Sequence, residues 1–211
     1  MISLHSYLLF IGAVVVLCLV PGPDMAYMLA RTIAQGRRAG LVAAVGINAG
    51  GYFHVTAAVL GLSAVLAASS TAFTAVKLTG ACYLIWIGIR TITSRSAKSP
   101  DSGPPRPVAS YSRIFWEGFL SDALNPKVAV FFLAFLPQFV NRASDVSVPM
   151  QLLFLGVSCN VIAIGINLVL VALAGTATRA IRANNTWKTW LNKLVGGLFI
   201  ALGLRLAGEK L

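Results

Sequence analysis

Two short stretches combine helix-breaking and charged residues inside otherwise apolar sequence. The first is Pro21-Gly22-Pro23-Asp24, and the second is Asn125-Pro126-Lys127. Proline lacks a backbone N–H and interrupts a helix, so each stretch frees backbone groups and begins a new helix whose N-terminus attracts negative charge. Asp24 can bind an ammonium group or carry a proton, or it can satisfy free N–H groups as a helix N-cap. The pattern predicts two helix breaks that bind a charged ligand.

Acidic residues accompany the second break. Asp122 and Asn125 are three residues apart and therefore share one helix face. Lys127 either neutralises Asp122 as a buried pair or leaves Asp122 free to couple protons. Glu117 follows Arg113 by four residues, which predicts an ion pair between them.

Other polar side chains also lie in apolar sequence. His54 is either a proton relay, since imidazole exchanges a proton near neutral pH, or a packed side chain. Asn48 and Tyr52 share a helix face, as do Asn160 and Asn167. Such side chains either line a cavity or hold helices together through hydrogen bonds. We take Asp24, Asp122 and His54 as proton-coupling candidates, and we predict a substrate site formed by Pro21, Gly22, Pro23, Asp24, Asn48, Tyr52, Asn125, Pro126, Lys127 and Asn160.

Composition places these residues in a membrane. Of the 211 residues, 57% are hydrophobic and 11% are charged, whereas about 25% charged is usual for soluble domains. The net charge is +11, and the basic residues that produce it lie in short loops between apolar runs. This distribution indicates membrane topology and not nucleic-acid binding. Cys18, Cys82 and Cys159 are isolated, without a metal-ligand spacing. With no nucleophile–base pair either, we expect neither an enzyme nor a bound metal or cofactor.

The apolar runs predict an all-α integral membrane protein with six transmembrane helices. A helix needs about 20 apolar residues to cross the bilayer, and six segments qualify: 4–22, 39–67, 70–93, 114–140, 149–175 and 188–208. A linker rich in proline, 94–112, separates an N-terminal three-helix repeat (1–93) from a C-terminal one (113–211). Basic residues cluster in alternate loops, which predicts a cytoplasmic linker and both termini outside.

The two halves of the sequence contain similar short motifs. Lys77-Leu78-Thr79-Gly80 corresponds to Lys193-Leu194-Val195-Gly196, and Gly46-Ile47-Asn48 corresponds to Gly165-Ile166-Asn167. Three helices per half require the second half to be inverted. Inverted repeats in which the first helix of each half is broken by proline are typical of secondary transporters. Small residues along several spans are compatible with a homodimer.

These motifs resemble those of the LysE/RhtB-type amino-acid exporters of bacteria. The similarity is carried by the two proline stretches, by the run from Gly118 to Lys127, and by its continuation from Phe131 to Phe139. The chain departs from the family at Asp122, where members often have a neutral amide, and at Gly51, where some have an acid. The resemblance implies export of amino acids or close derivatives from the cytoplasm across the inner membrane, driven by protons.

A mechanism follows as an expectation. The half-helix N-termini near Pro23 and Pro126 would attract a substrate carboxylate, and Asp24 would face its ammonium group. Few acids lie in the spans, which favours neutral or small polar substrates. Rocking of the two halves in the lipid bilayer would give alternating access. The alternatives are a metal-cation exporter with the same six-helix plan and a membrane thiol–disulfide relay.

Overall fold

The computed structural model describes residues 2–20, 22–62, 70–93 and 108–183, together with single residues between 193 and 208. The regular structure of these residues is entirely helical, which confirms the all-α prediction for this part of the chain. In chain order the helices are α1 (Leu4–Leu19), α2 (Pro23–Gln35), α3 (Arg37–Ala57), α4 (Ser70–Thr93), α5 (Tyr111–Ala123), α6 (Pro126–Val130) and α7 (Val148–Ala183). A π-helical turn extends α3 over Ala58–Leu62, and π- and 3₁₀-helical turns extend α6 over Phe131–Phe135 and Leu136–Phe139.

Several of these helices are suited to a membrane. Arg37–Gly61 and Val148–Ala174 are each long and apolar enough to cross it. Two bent pairs also qualify when each is taken together: α1 with α2, bent by 56°, and α5 with residues Pro126–Phe139, bent by 45°. The described residues therefore hold two candidate spans, or four if each bent pair is one span. α4 matches the predicted segment 70–93, whereas most of the predicted sixth span and of the linker 94–112 lies outside the described residues, so the six-span inverted repeat remains a prediction.

Both helix breaks lie where the prolines predict them. α1 ends at Leu19, and α2 begins with Pro23 after an extended Gly22. α5 ends at Ala123, and α6 begins with Pro126. Proline suits the first position of a helix because its fixed φ is already helical and the missing N–H would have no partner there. The same residues thus end one helix and begin the next.

α3 is the central helix, and glycines bring it unusually close to α5. A Cβ added at Gly46 would lie 3.0 Å from the carbonyl carbon of Phe115, and one at Gly118 would lie 2.9 Å from the carbonyl oxygen of Ala43. The Cβ at Gly46 would also overlap the carbonyl oxygen of Phe115, so a side chain at either position would force the two helices apart. The close packing holds the α5 end of the second break beside α3.

Two apolar clusters flank this contact. One joins α1 to the segment after α6 and to α7, and it includes Phe10, Val14, Phe132, Leu136 and Leu155. The other joins α2, α3, α5 and α7 around Met28, Ala43, Ile47, Ile114 and Val171. A sharp turn at Gly36, whose φ is 86°, connects α2 to α3, and this conformation favours glycine. The site described below lies between the two clusters.

We expect Gly46→Ala to destabilise the protein and Gly12→Ala not to do so. The methyl group that the substitution adds would overlap the backbone of Phe115, and overpacking of this kind typically costs about 1–3 kcal/mol. At Gly12, on the exposed side of α1, an added Cβ meets nothing within 4 Å, and alanine favours the helix by roughly 0.5–1 kcal/mol. Thermal unfolding in detergent should therefore shift down for Gly46→Ala and stay or rise for Gly12→Ala. Equal shifts in the two variants would contradict the close packing of α3 on α5.

Candidate functional site

A small cavity lies where the two helix breaks face each other. Its volume is about 50 Å³, which is room for about one or two water molecules and far below the roughly 300 Å³ or more of a typical small-molecule site. The cavity of this structure is therefore too small to hold an amino acid. It is lined by Leu17, Cys18, Asp24, Met25, Ile47, Asn48, Gly51, Asp122, Lys127, Val128, Phe132, Cys159, Asn160, Ala163 and Asn167.

Lys127 connects the two breaks. Its side chain is buried, with 6% exposed, and Nζ donates to the carbonyl oxygens of Leu17 at 3.4 Å and Val20 at 3.3 Å. In a continuous helix the carbonyl of Leu17 would accept from residue 21, but residue 21 is proline and has no N–H. The ammonium also lies 3.8 Å from Asp24 Oδ1. The lysine of the second break thus satisfies backbone groups and an acid at the first break.

Asn125 makes a second connection between the breaks. Its side-chain oxygen accepts the backbone N–H of Lys127 at 3.0 Å and so caps α6. Its Nδ2 donates to Asp24 Oδ1 at 3.3 Å. One amide therefore starts α6 and orients the acid of α2. Asp24 lies in the first turn of α2, whereas the N-cap position belongs to Gly22, where an added Cβ would lie 3.0 Å from Lys127 Nζ.

Asp122 lies apart from this pair. It is 5% exposed, and its Oδ2 has no hydrogen-bond partner among the described residues. Its backbone carbonyl oxygen lies 2.9 Å from His54 Nε2. His54 is buried, and its ring stacks on Phe132 with the ring centres 5.8 Å apart. His54 thus contacts the backbone beside the second break, while the carboxyl group of Asp122 lines the cavity.

The amide residues of α3 and α7 meet on the same cavity. Asn48 Nδ2 donates to the backbone carbonyl of Asn160 at 2.8 Å. Asn160 is 4% exposed, and its Nδ2 has no partner in the described part of the chain. Gly51 leaves space for this amide, since a Cβ there would lie 3.2 Å from Asn160 Nδ2. Asn48 therefore joins two helices, as amides in membrane proteins often do, while the amide of Asn160 lines the cavity.

The other predicted substrate-site residues that the structure describes are not among those that line the cavity: Gly22, Pro23, Tyr52, Asn125 and Pro126. Tyr52 has 44% of its surface exposed, since it lies about 100° around the axis of α3 from its neighbour Gly51. Pro23 and Pro126 are exposed at the first positions of α2 and α6. Pro21 lies outside the described residues. The prolines consequently shape the backbone, and polar side chains beside them line the cavity.

Several lining residues were not predicted as site residues. Cys18 and Cys159, from α1 and α7, both line the cavity as free thiols. Met25, Ile47 and Phe132 form part of an apolar wall. Cys18 had a signal in the sequence, since it lies three residues before the first break, and so did the lining residue Asn167, which shares a helix face with Asn160. Within the described ranges, no three His, Cys, Asp or Glu side chains gather as metal ligands would.

A charged cluster ties α2 to α5 away from the cavity. Glu117 Oε2 lies 2.7 Å from Arg31 Nη2 and accepts from Tyr27 Oη at 2.9 Å. Glu117 Oε1 lies 2.7 Å from Arg113 Nε, which confirms the predicted i,i+4 pair. Arg31 also donates to Gln35, whose amide bonds the backbone of Ala109. We call these residues, Tyr27, Arg31, Gln35, Arg113 and Glu117, the α2–α5 clamp.

Comparisons with known proteins find relatives over nearly the whole chain. The family model described as LysE type translocator matches residues 15–210. An uncharacterised membrane protein of Vibrio cholerae is 31% identical, with 99% of each chain covered. The uncharacterised membrane protein YrhP of Bacillus subtilis is 29% identical, covering 96% of this chain and 98% of its own. A leucine efflux protein of Klebsiella pneumoniae is 26% identical over 96% of this chain and 94% of its own. No solved structure matches the chain at a significant level.

Proposed function

The chain belongs to the LysE-type translocator family of membrane transporters, and we propose that it exports neutral or small polar amino acids, or close derivatives, from the cytoplasm. The single observation that carries the proposal is the cavity between two proline-broken helices, which joins charged groups, amides and an apolar wall. Discontinuous helices that frame a polar site are the usual substrate-binding device of secondary transporters.

The lining of the cavity supports a neutral amino acid. Asp24 and Lys127 already offset each other's charge, which leaves Asp122 as one unpaired acid for an α-ammonium group and no further acid of the lining for a basic side chain. Met25, Ile47 and Phe132 offer apolar surface to a substrate side chain. The relative from Klebsiella pneumoniae is a leucine efflux protein, and we accordingly choose leucine as the first substrate to test.

We further propose the predicted transmembrane plan and the predicted site. Six spans would form two inverted repeats in the bacterial inner membrane, with both termini outside. Substrate would contact residues of both breaks and of α3 and α7: Pro21, Gly22, Pro23, Asp24, Asn48, Tyr52, Asn125, Pro126, Lys127 and Asn160. Tyr52 is exposed beside the cavity face of α3 and would reach substrate only after α3 rotates.

Proton antiport with alternating access is the proposed mechanism. A cavity of about 50 Å³ cannot hold an amino acid, so the helices around it must separate during transport. The α2–α5 clamp joins the first half to the second and must loosen when the halves rock apart. A proton from outside would displace the substrate from an acid in the cavity. Asp24, Asp122 and His54 are the candidates to carry it.

The test is counterflow in proteoliposomes of purified protein. Vesicles loaded with unlabelled leucine should accumulate radiolabelled leucine saturably, and threonine or homoserine should compete more strongly than lysine. Gly12→Ala, on the exposed side of α1, serves as the matched active control. Transport of a divalent cation without any amino-acid counterflow would contradict the proposal and favour the metal-cation exporter, an alternative that no ligand cluster among the described residues supports.

A further inference from the structure

Two buried polar atoms of the cavity have no protein partner. Among the side chains that the structure describes, these are Asp122 Oδ2 and Asn160 Nδ2. Both residues are more than nine-tenths buried, with 5% and 4% of their surface exposed, and both line the cavity. Buried polar groups are nearly always hydrogen-bonded, so each exception requires an explanation. That both exceptions line one cavity points to a ligand that supplies both partners.

The two groups have opposite character. A carboxylate accepts hydrogen bonds and carries negative charge, whereas an amide nitrogen only donates. Neighbouring glycines of α3 hold them at one level of the helix bundle. A Cβ at Gly50 would lie 2.9 Å from Asp122 Cβ, and one at Gly51 would lie 3.2 Å from Asn160 Nδ2. A ligand that carries a positively charged donor near an acceptor would match both groups.

The charged groups at the two helix breaks and the amide nitrogen of Asn48 are already engaged. Lys127 Nζ is held by two carbonyl oxygens and by Asp24. Asp24 Oδ1 also accepts from Asn125, and Asn48 Nδ2 donates to the backbone of Asn160. A substrate that used these groups would have to displace contacts between the helices. Asp122 Oδ2 and Asn160 Nδ2 can bind it without losing a hydrogen bond of their own.

We propose that Asp122 and Asn160 bind the two poles of an α-amino acid zwitterion: Asp122 accepts from the α-ammonium group, and Asn160 donates to the α-carboxylate. This inference rests on the proposed amino-acid export and replaces Asp24 as the predicted partner of the ammonium group. Asp24, Asn125 and Lys127 then serve to hold the two helix breaks together. Substrate selectivity for the α-amino acid group lies in α5 and α7.

The test compares three ligands on purified protein in detergent. Leucine has both poles, leucinamide lacks the carboxylate, and 4-methylpentanoate lacks the ammonium group. Affinity is read from the ligand-induced shift in thermal unfolding, because this measurement does not require transport. For the wild-type protein, leucine should bind at least about tenfold more tightly than either analogue, since each analogue forfeits one charge-assisted hydrogen bond.

The variants should separate the two poles. Asp122→Asn should lower the preference for leucine over 4-methylpentanoate about tenfold and leave the preference over leucinamide unchanged. Asn160→Asp, which turns a donor into an acceptor, should reduce or invert the preference over leucinamide and leave the other ratio unchanged. Asn160→Ser, a smaller change, provides a second test of the same ratio should the aspartate prevent folding.

Three results would overturn the inference in distinguishable ways. If the wild-type protein binds and transports leucine but binds both analogues equally well, the zwitterion site is wrong and the proposed export stands. If both variants keep the wild-type ratios, other residues bind the two poles. If the folded wild-type protein neither binds nor transports any amino acid, the inference fails together with the proposed function.

Discussion

Lys127→Met is expected to abolish leucine counterflow, with a loss of at least about a hundredfold. Methionine has a similar length but supplies no donor to the carbonyl oxygens of Leu17 and Val20, and it leaves Asp24 without its cation. Removing one partner of a buried ion pair typically costs about 3–5 kcal/mol. Of the polar links between the two breaks described above, only the hydrogen bond from Asn125 to Asp24 would then remain. The measurements are counterflow in proteoliposomes and thermal unfolding of the same preparation in detergent.

Two comparisons make the Lys127 prediction specific. Arg113→Met removes a cation whose side chain is 71% exposed; exposed ion pairs contribute about 0–1 kcal/mol, so this variant should transport within about twofold of the wild-type protein. The double variant Asp24→Asn with Lys127→Met leaves no unpaired charge, and it should unfold at a higher temperature than Lys127→Met alone while remaining inactive. Wild-type counterflow in Lys127→Met would show that the link between the breaks is dispensable.

Asp122→Asn is expected to remove the proton movement that accompanies leucine transport. Asp122 Oδ2 has no partner in the described part of the chain, so its carboxyl group can accept a proton without first breaking a contact. An asparagine keeps the shape but cannot carry the proton. The measurement is the lumenal pH of vesicles loaded with a fluorescent pH indicator, with leucine added at a saturating concentration. The other titratable side chains nearby are Cys18, Asp24, His54, Lys127 and Cys159.

A variant of His54 distinguishes the candidates for the proton. The ring of His54 contacts the backbone carbonyl of Asp122 and packs on Phe132, so His54→Gln should keep more than about half of the leucine-driven pH change. Loss of the pH change in His54→Gln, with full coupling in Asp122→Asn, would transfer the proton role to His54. If Asp24 carried the proton, Asp122→Asn would retain a wild-type pH change.

A single carboxyl group that binds both proton and substrate would explain the coupling. If Asp122 holds either a proton or the α-ammonium group but not both, each ligand displaces the other. When the substrate's ammonium group leaves Asp122, a proton from outside can bind there. When that proton is released, the next substrate can bind from the cytoplasm. Exchange by competition needs no second site, and it places Asp122 at the centre of the proposed cycle.

The helix breaks were predictable because they follow from covalent chemistry. Proline has no N–H wherever it occurs, so Pro23 and Pro126 had to begin new helices or kink old ones. The ion pair of Arg113 with Glu117 was predictable for a similar reason, since residues four apart on a helix are neighbours. Such features depend on local sequence and are independent of how the helices pack.

The partners across the cavity could not be predicted from spacing. Two acids line the cavity with Lys127: Asp122, five residues before it in the sequence, and Asp24, at the other helix break. The structure places the ammonium group of Lys127 3.8 Å from Asp24. That choice depends on how α1 and α2 pack against α6. Tyr52 shares a helix face with Asn48, yet the residues of α3 that line the cavity are Ile47, Asn48 and Gly51. The roles of Gly50 and Gly51 emerge only when α5 and α7 are in place.

The most direct test of proton-coupled amino-acid export is leucine-driven proton movement by the wild-type protein. Vesicles containing the purified protein and a lumenal pH indicator are prepared without a pH gradient, and leucine is added outside. Proton antiport predicts a saturable alkalinisation of the lumen, because leucine enters in exchange for protons. Leucinamide and 4-methylpentanoate should not produce this signal, and protein-free vesicles should lack it. Uptake of radiolabelled leucine with a constant lumenal pH would contradict proton antiport, and the absence of both signals in folded protein would contradict amino-acid transport itself.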